Sequence, residues 1–131
     1  MDRLIFYLMA VITVIVLFGC SISVPASKVN GTYKASYQFG SETISLNPNG
    51  SFVQEIAIKN EAPVTVSGKW EYDANGGRVN LEGFVSAVDG FGHLRSDWRA
   101  VKPGVASFDI EIHWFRIVMA SAAAHPYVKQ K

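Results

Sequence analysis

Cysteine is almost missing from this chain: Cys20 stands alone among 131 residues. One thiol closes no internal disulfide and builds no paired-cysteine metal motif, so the fold must hold by packing and strand pairing. A surplus of one charge is missing as well. Lys and Arg number 12, Asp and Glu 11, for a formal net charge of +1. So even a balance offers no basic footprint for a polyanion, and nucleic acid is not an expected partner. No block of like charge marks a disordered tail. No apolar run reaches the length of a membrane span. The longest, Leu4 to Phe18, is broken only by Thr13 and would make a helix of roughly 22 Å, against a hydrocarbon core of about 30 Å. Catalytic motifs are absent too. There is no Gly-x-Ser-x-Gly elbow and no phosphate-binding glycine loop. The three histidines, His93, His113 and His125, lie in unrelated settings and compose no nucleophile, base and orienting acid. No catalytic residue and no cofactor is assigned, and the chain is not expected to be an enzyme.

What is present begins with a leader. Met1 to Gly19 has a positive start in Arg3 and the free amine, partly offset by Asp2, and then the apolar run. It ends in Leu17-Phe18-Gly19-Cys20. That tetrapeptide resembles the bacterial lipobox, with an aliphatic residue three places before the cysteine and a small one just before it; Phe18 stands where a small residue is usual. The resemblance implies cleavage after Gly19, a thioether diacylglycerol on Cys20 and acylation of the new amine, a palmitate-type chain. Each buried methylene contributes about 0.8 kcal/mol, so several chains give stable attachment where one does not. Residues 1–19 are accordingly expected as a signal-peptide helix, 20–28 as a flexible tether and 29–131 as one domain. An uncleaved N-terminal anchor, or an ordinary leader cut after Ala26, are the alternatives. The membrane is the expected partner and the cell envelope the expected location. Ser21, in place of an Asp after the cysteine, points to an outer membrane facing the periplasm if the envelope is Gram-negative.

Beyond the tether the period becomes two, and turn residues recur about every ten positions. Val29, Gly31, Tyr33, Ala35 and Tyr37 share one face, as do Ile44 and Leu46. Asn47-Pro48-Asn49-Gly50 is the strongest hairpin signal. Phe52, Ile56 and Ile58 follow on one face, with Gln54 an exception. Val64, Val66, Gly68, Trp70 and Tyr72 alternate, then Val79 and Leu81, with Gly83 a bulge that lets Phe84 turn inward. Ala106, Phe108, Ile110, Ile112 and Trp114 make a further inward set, and short strands are expected at Arg116 to Met119 and Tyr127 to Lys129. Half-buried strands joined by tight turns predict an all-β antiparallel meander. Seven or eight of them hide their edges by closing into a small up-and-down barrel, or by stacking as a β-sandwich.

A weak internal echo accompanies this pattern: Gly31-Thr32-Tyr33 with Ile44-Ser45-Leu46, and Gly68-Lys69-Trp70 with Val79-Asn80-Leu81. Glycine leaves room beside a large ring on the same face. Gly31-x-Tyr33 and Gly68-x-Trp70 resemble the Gly-x-Trp opening of lipocalin first strands. With Asn49-Gly50-Ser51-Phe52 between them, the order over Val29 to Phe84 is similar to that of small bacterial lipoproteins with lipocalin-like domains. The resemblance implies a barrel that binds small apolar molecules.

Two candidate sites follow. Tyr33, Trp70, Tyr72, Phe108 and Trp114 share inward parity and line either an apolar ligand pocket or a plain core. Val85 to Gly104 is the least regular stretch, a lid or binding loop. There Phe91, His93, Leu94 and Trp98 either meet a protein partner, as in an inhibitor, immunity or envelope-assembly factor, or belong to a short helix over the barrel mouth. Asp89, His93 and Asp97 recur every four residues, a ligand spacing on a helix, but Gly90 and Gly92 oppose a helix and a fourth ligand is wanting; no metal is assigned. The chain is thus expected to be a non-catalytic binding module for a small apolar ligand or an envelope component.

Overall fold

The computed structural model describes residues 23–120 and 123–131. The expected signal peptide (1–19) and the lipidation residue Cys20 lie outside these residues. A four-residue helix α1 (Ala26–Val29) leads into strands β1 (Gly31–Tyr37), β2 (Gly40–Leu46), β3 (Ser51–Ile58), β4 (Val64–Asp73), β5 (Arg78–Phe84), β6 (Gly104–His113), β7 (Arg116–Met119) and β8 (Tyr127–Lys129). Each strand pairs antiparallel with the next, and β8 returns to β1, so the sheet is a closed barrel and not a sandwich. The seam is short: Tyr33 opposes Lys129 and Lys34 opposes Val128. Among the described residues no helix is long and apolar enough to cross a membrane.

Alternation decides which side chains fill the interior. Tyr33 and Ala35, Ile44 and Leu46, Phe52 and Ile56, Val79 and Leu81 are buried, while their strand neighbours are open or half-open. At the Asn47–Gly50 turn, Gly50 takes φ +85° and its N–H donates to Asn47 O (3.1 Å). Further along, the register shifts between Glu82 and Phe84, Gly83 takes φ +97°, and Phe84 turns inward as expected. Gly68 serves a neighbour other than the one its sequence context suggests. A Cβ built there would lie 2.0 Å from Glu82 O and 2.6 Å from Phe52 Cε1, so its bareness admits the Phe52 ring from the adjacent strand.

Two expectations need correction. Residues 24–28 are not a loose tether: Val24 and Val29 are buried in the main core, and β1 starts at Gly31, after α1. A lone valine between Ser23 and Pro25 sets no period that a sequence could display. Trp114 is not inward but 92% exposed. The barrel wall ends before it, and Trp114-Phe115 form the two-residue turn between the directly opposed His113 and Arg116. Both turn residues have positive φ, 49° and 65°, a left-handed conformation that costs a side-chain-bearing residue about 1–2 kcal/mol. Asn-Gly is the pair that such a turn prefers.

Gly68→Ala is expected to lower the unfolding free energy by about 1–3 kcal/mol through overpacking, read as an earlier urea midpoint. Gly104→Ala, with no atom within 4 Å of its new methyl, should stay within about 0.5 kcal/mol of the parent.

Candidate functional site

The two ends of the barrel differ. One end is closed by Val24 and α1. Tyr33 Oη donates to Val29 O and Tyr72 Oη to Val24 O, while Trp70 Nε1 donates to Asn47 O (2.8 Å). These three aromatics, grouped in the sequence as ligand-binding candidates, bind the chain's own backbone at this end and do not line the cavity described next. Burial pushes the Tyr33 phenol well above its usual range.

At the other end a cavity of about 410 Å³ opens between the ends of β5 and β6, the start of the following loop and the β7–β8 connection. Phe84, Phe108, Tyr37 and Tyr127 give it aromatic walls, Ala106 and Ala120 small ones, and His125 stands at its side. Of the aromatics with inward parity in the sequence, Tyr37 and Phe108 are found here; the Phe108 ring meets Phe84 edge-on at 5.4 Å and Tyr127 at 5.6 Å. The His125 ring lies 5.1 Å from Tyr37, with Nδ1 2.9 Å from Ser36 O.

Glu42 also lines the cavity, although it is only 1% exposed. Its Oε1 accepts from Tyr127 Oη (2.6 Å) and from Gln54 Nε2 (3.1 Å). No ion pair to Glu42 is formed among the described residues. Burial raises its carboxyl above the usual range, against those two hydrogen bonds. Burial likewise lifts Tyr37 to about 12, helped by the nearby Glu42 charge, and lifts Tyr127 further. Both hydrogen bonds end on Oε1, and among the described residues no buried side-chain polar atom lacks a partner. Oε2 is therefore the carboxyl atom left open to the cavity. As a carboxylate it accepts a hydrogen bond or holds a cation; protonated, it donates.

Gln54 links this group to the loop, accepting from Val85 N (2.9 Å) and donating to Val85 O (2.8 Å). Beyond Val85 the loop folds into a lid. Val88 bridges to Leu94, and a 3₁₀ turn (Trp98–Ala100) buries Trp98 against Ile56, Val85 and Ala87, with Leu94 packed alongside. Arg99 lies over the Trp98 ring (4.6 Å) and pairs with Glu61 (2.7 Å). Of the residues expected to meet a partner, Leu94 and Trp98 pack into the lid, whereas Phe91 is 79% exposed and His93 is open. Asp89 Oδ1 accepts from Phe91 N and His93 N, both 2.9 Å, which holds its carboxyl low. Asp97 turns to Arg95 instead (3.3 Å), so Asp89, His93 and Asp97 do not converge. Among the described residues no group of His, Cys, Asp or Glu is set to hold a metal ion.

Glu42 and Gln54 are the polar residues that sequence reasoning missed. The inward parity of Ile44 and Leu46, carried back two places, reaches Glu42, and Gln54, opposite Ile44, already broke the apolar face of β3.

No protein-family model matches the chain, and no curated protein sequence matches it. A solved structure described as a lipocalin-like protein from Bacteroides uniformis aligns over 79% of this chain and 98% of that one, with 13% identity and a TM-score of 0.49. The strand order itself, eight antiparallel strands in a closed meander, is the arrangement of lipocalins.

Folding takes up a proton at Glu42, because its carboxyl is raised from an ordinary value of 4.5. Its contribution to stability is therefore full below about pH 4.5 and falls as pH rises through the window up to the raised folded value. Glu42→Gln keeps an acceptor for Tyr127 and Gln54 and removes that slope. Paired thermal melts from about pH 4 to about pH 9 should show the variant gaining on the parent as pH rises and then holding level.

Proposed function

We propose that this chain is a non-catalytic binding module, held at a cell-envelope membrane by lipid on Cys20, that takes a small, largely apolar molecule into the mouth of its barrel. The cavity carries the proposal. At about 410 Å³ it falls within the range of about 300–1,000 Å³ typical of small-molecule sites. Aromatic and aliphatic side chains make up much of its wall, Ser86, Asp89, Ser107 and His125 also line it, and Glu42 is the buried polar group among them. That combination suits a ligand with an apolar body and one hydrogen-bond donor, an amine or a hydroxyl. It disfavours an anion, which would meet the carboxylate.

Attachment through Cys20 is supported by the lipobox-like Leu17 to Cys20 and by the apolar run before it. It is also supported by the path of the chain, since Ser23 lies beside the β4–β5 turn at the closed end, opposite the mouth. The mouth would then point away from the bilayer. A protein partner on the lid has less behind it, because Phe91 stands exposed without Leu94 or Trp98.

Two measurements test this. Mass spectrometry of protein purified from membranes should find a chain beginning at acylated Cys20, and Cys20→Ser should release the protein from the membrane fraction. Recovery of the full-length, unacylated chain from cytosol would overturn the attachment. For the cavity, the neutral fluorophore N-phenyl-1-naphthylamine should bind at least about tenfold more tightly than its anionic sulfonate relative, and Ala106→Trp, which fills the site, should weaken it about tenfold or more. Equal binding to parent and Ala106→Trp would remove the cavity from consideration.

A further inference from the structure

At the closed end, two aromatic rings stand in water. Trp114 is 92% exposed and Phe115 fully so, and Ile112 on the adjoining strand is 40% exposed. They occupy both positions of the β6–β7 turn, in the left-handed conformation. Folding does not explain them, since neither ring packs on the barrel and the turn geometry favours small residues.

Cations gather beside them. Of the acidic groups of this end, Asp109 pairs with Arg78, Glu111 with His113, and Asp73 accepts from the N–H groups of its own turn, while Glu71 stands exposed on β4. Arg116, next to Phe115, makes no ion pair among the described residues. Phe115 and Arg116 share a surface groove with Lys129 and Lys131. Lys28, whose carbonyl accepts from Lys129 Nζ, adds a further cation.

The N-terminal chain runs to the same end. Ser23 lies beside Asn75 to Gly77 and beside Ile110 and Glu111 of β6. Two residues, Ser21 and Ile22, separate Ser23 from Cys20, so three steps along the chain reach about 10 Å when extended. Lipid on Cys20 would hold this end at the height of the headgroups, where tryptophan is favoured because its ring suits the boundary between oil and water. Cations near the rings would meet anionic headgroups.

We infer that the Trp114-Phe115 turn is a second membrane contact: an aromatic finger that enters the bilayer interface beside the lipid anchor, with Arg116, Lys129 and Lys131 on anionic headgroups. It rests on the anchored reading of Cys20. The two contacts together fix the barrel axis upright, so the mouth faces away from the bilayer instead of swinging on a single tether.

The test uses the full chain as purified from membranes, in vesicles of phosphatidylethanolamine and phosphatidylglycerol with brominated acyl chains. Flotation and the mass of the chain report the anchor; quenching of tryptophan emission reports the finger. Trp98 is buried and Trp70 half-buried inside the fold, so the quenched emission should belong to Trp114 and should vanish in Trp114→Phe. The double variant Trp114→Asn/Phe115→Gly suits the turn and should melt no lower than the parent. It should still float, yet its barrel should tumble more freely by fluorescence anisotropy of a dye at the mouth. An acylated, floating protein with unquenched Trp114 would overturn the finger and leave the anchor standing. A chain neither acylated nor floating would overturn both.

Discussion

A sheet with open edges is a liability, and this chain has few means of covering one. It carries no disulfide, its core is modest, and its last two strands are of four and three residues. Closure is the constraint on which the rest depends. Two residue pairs join β1 to β8, and once they form every strand has neighbours on both sides. A closed meander has two ends, and here each has its own cover. One end takes α1 and the hydroxyls of Tyr33 and Tyr72; the other takes the lid and keeps a hollow.

The hollow is where the fold accepts an electrostatic cost. A carboxyl beneath the mouth, without a paired cation among the described residues, would be expensive as a bare charge. Tyr127 and Gln54 offset part of that by donating to one oxygen. What remains raises the carboxyl, so the group moves between an acceptor and a donor according to pH. A plain core would have used leucine at this position. The polar cluster of Glu42, Gln54 and Tyr127 gives the hollow a fixed, buried polar point beside the rings of Phe84 and Phe108.

Much of the barrel was legible in the chain because alternation is a direct imprint of a two-faced wall. Ile44 and Leu46, Phe52 and Ile56, Val79 and Leu81 announce their strands, and Gly83 announces its bulge. Legibility failed where position in the barrel, not parity, decides the outcome. Tyr33, Trp70 and Trp114 all lie on the expected face of a strand or its continuation. Height along the axis makes one a plug, one a clasp on a turn, and one a ring in solvent. Periodicity carries no information about height. The candidate site was missed for a related reason: both residues keep the inward parity of their strands, Glu42 with Ile44 and Gln54 with Phe52 and Ile56, but only strand pairing, with Gln54 opposite Ile44 and Glu42 opposite Ile56, brings them together.

The lid has two roots. Gln54 grips both backbone groups of Val85 where the loop departs, and Arg99 holds Glu61 where it comes back. Between these fixed points the crown at Gly90 and Phe91 carries none of the barrel's weight. A chain built this way can exchange or lengthen its crown while the can beneath stays the same, so the shape of the entrance can drift under selection independently of the fold that supports it.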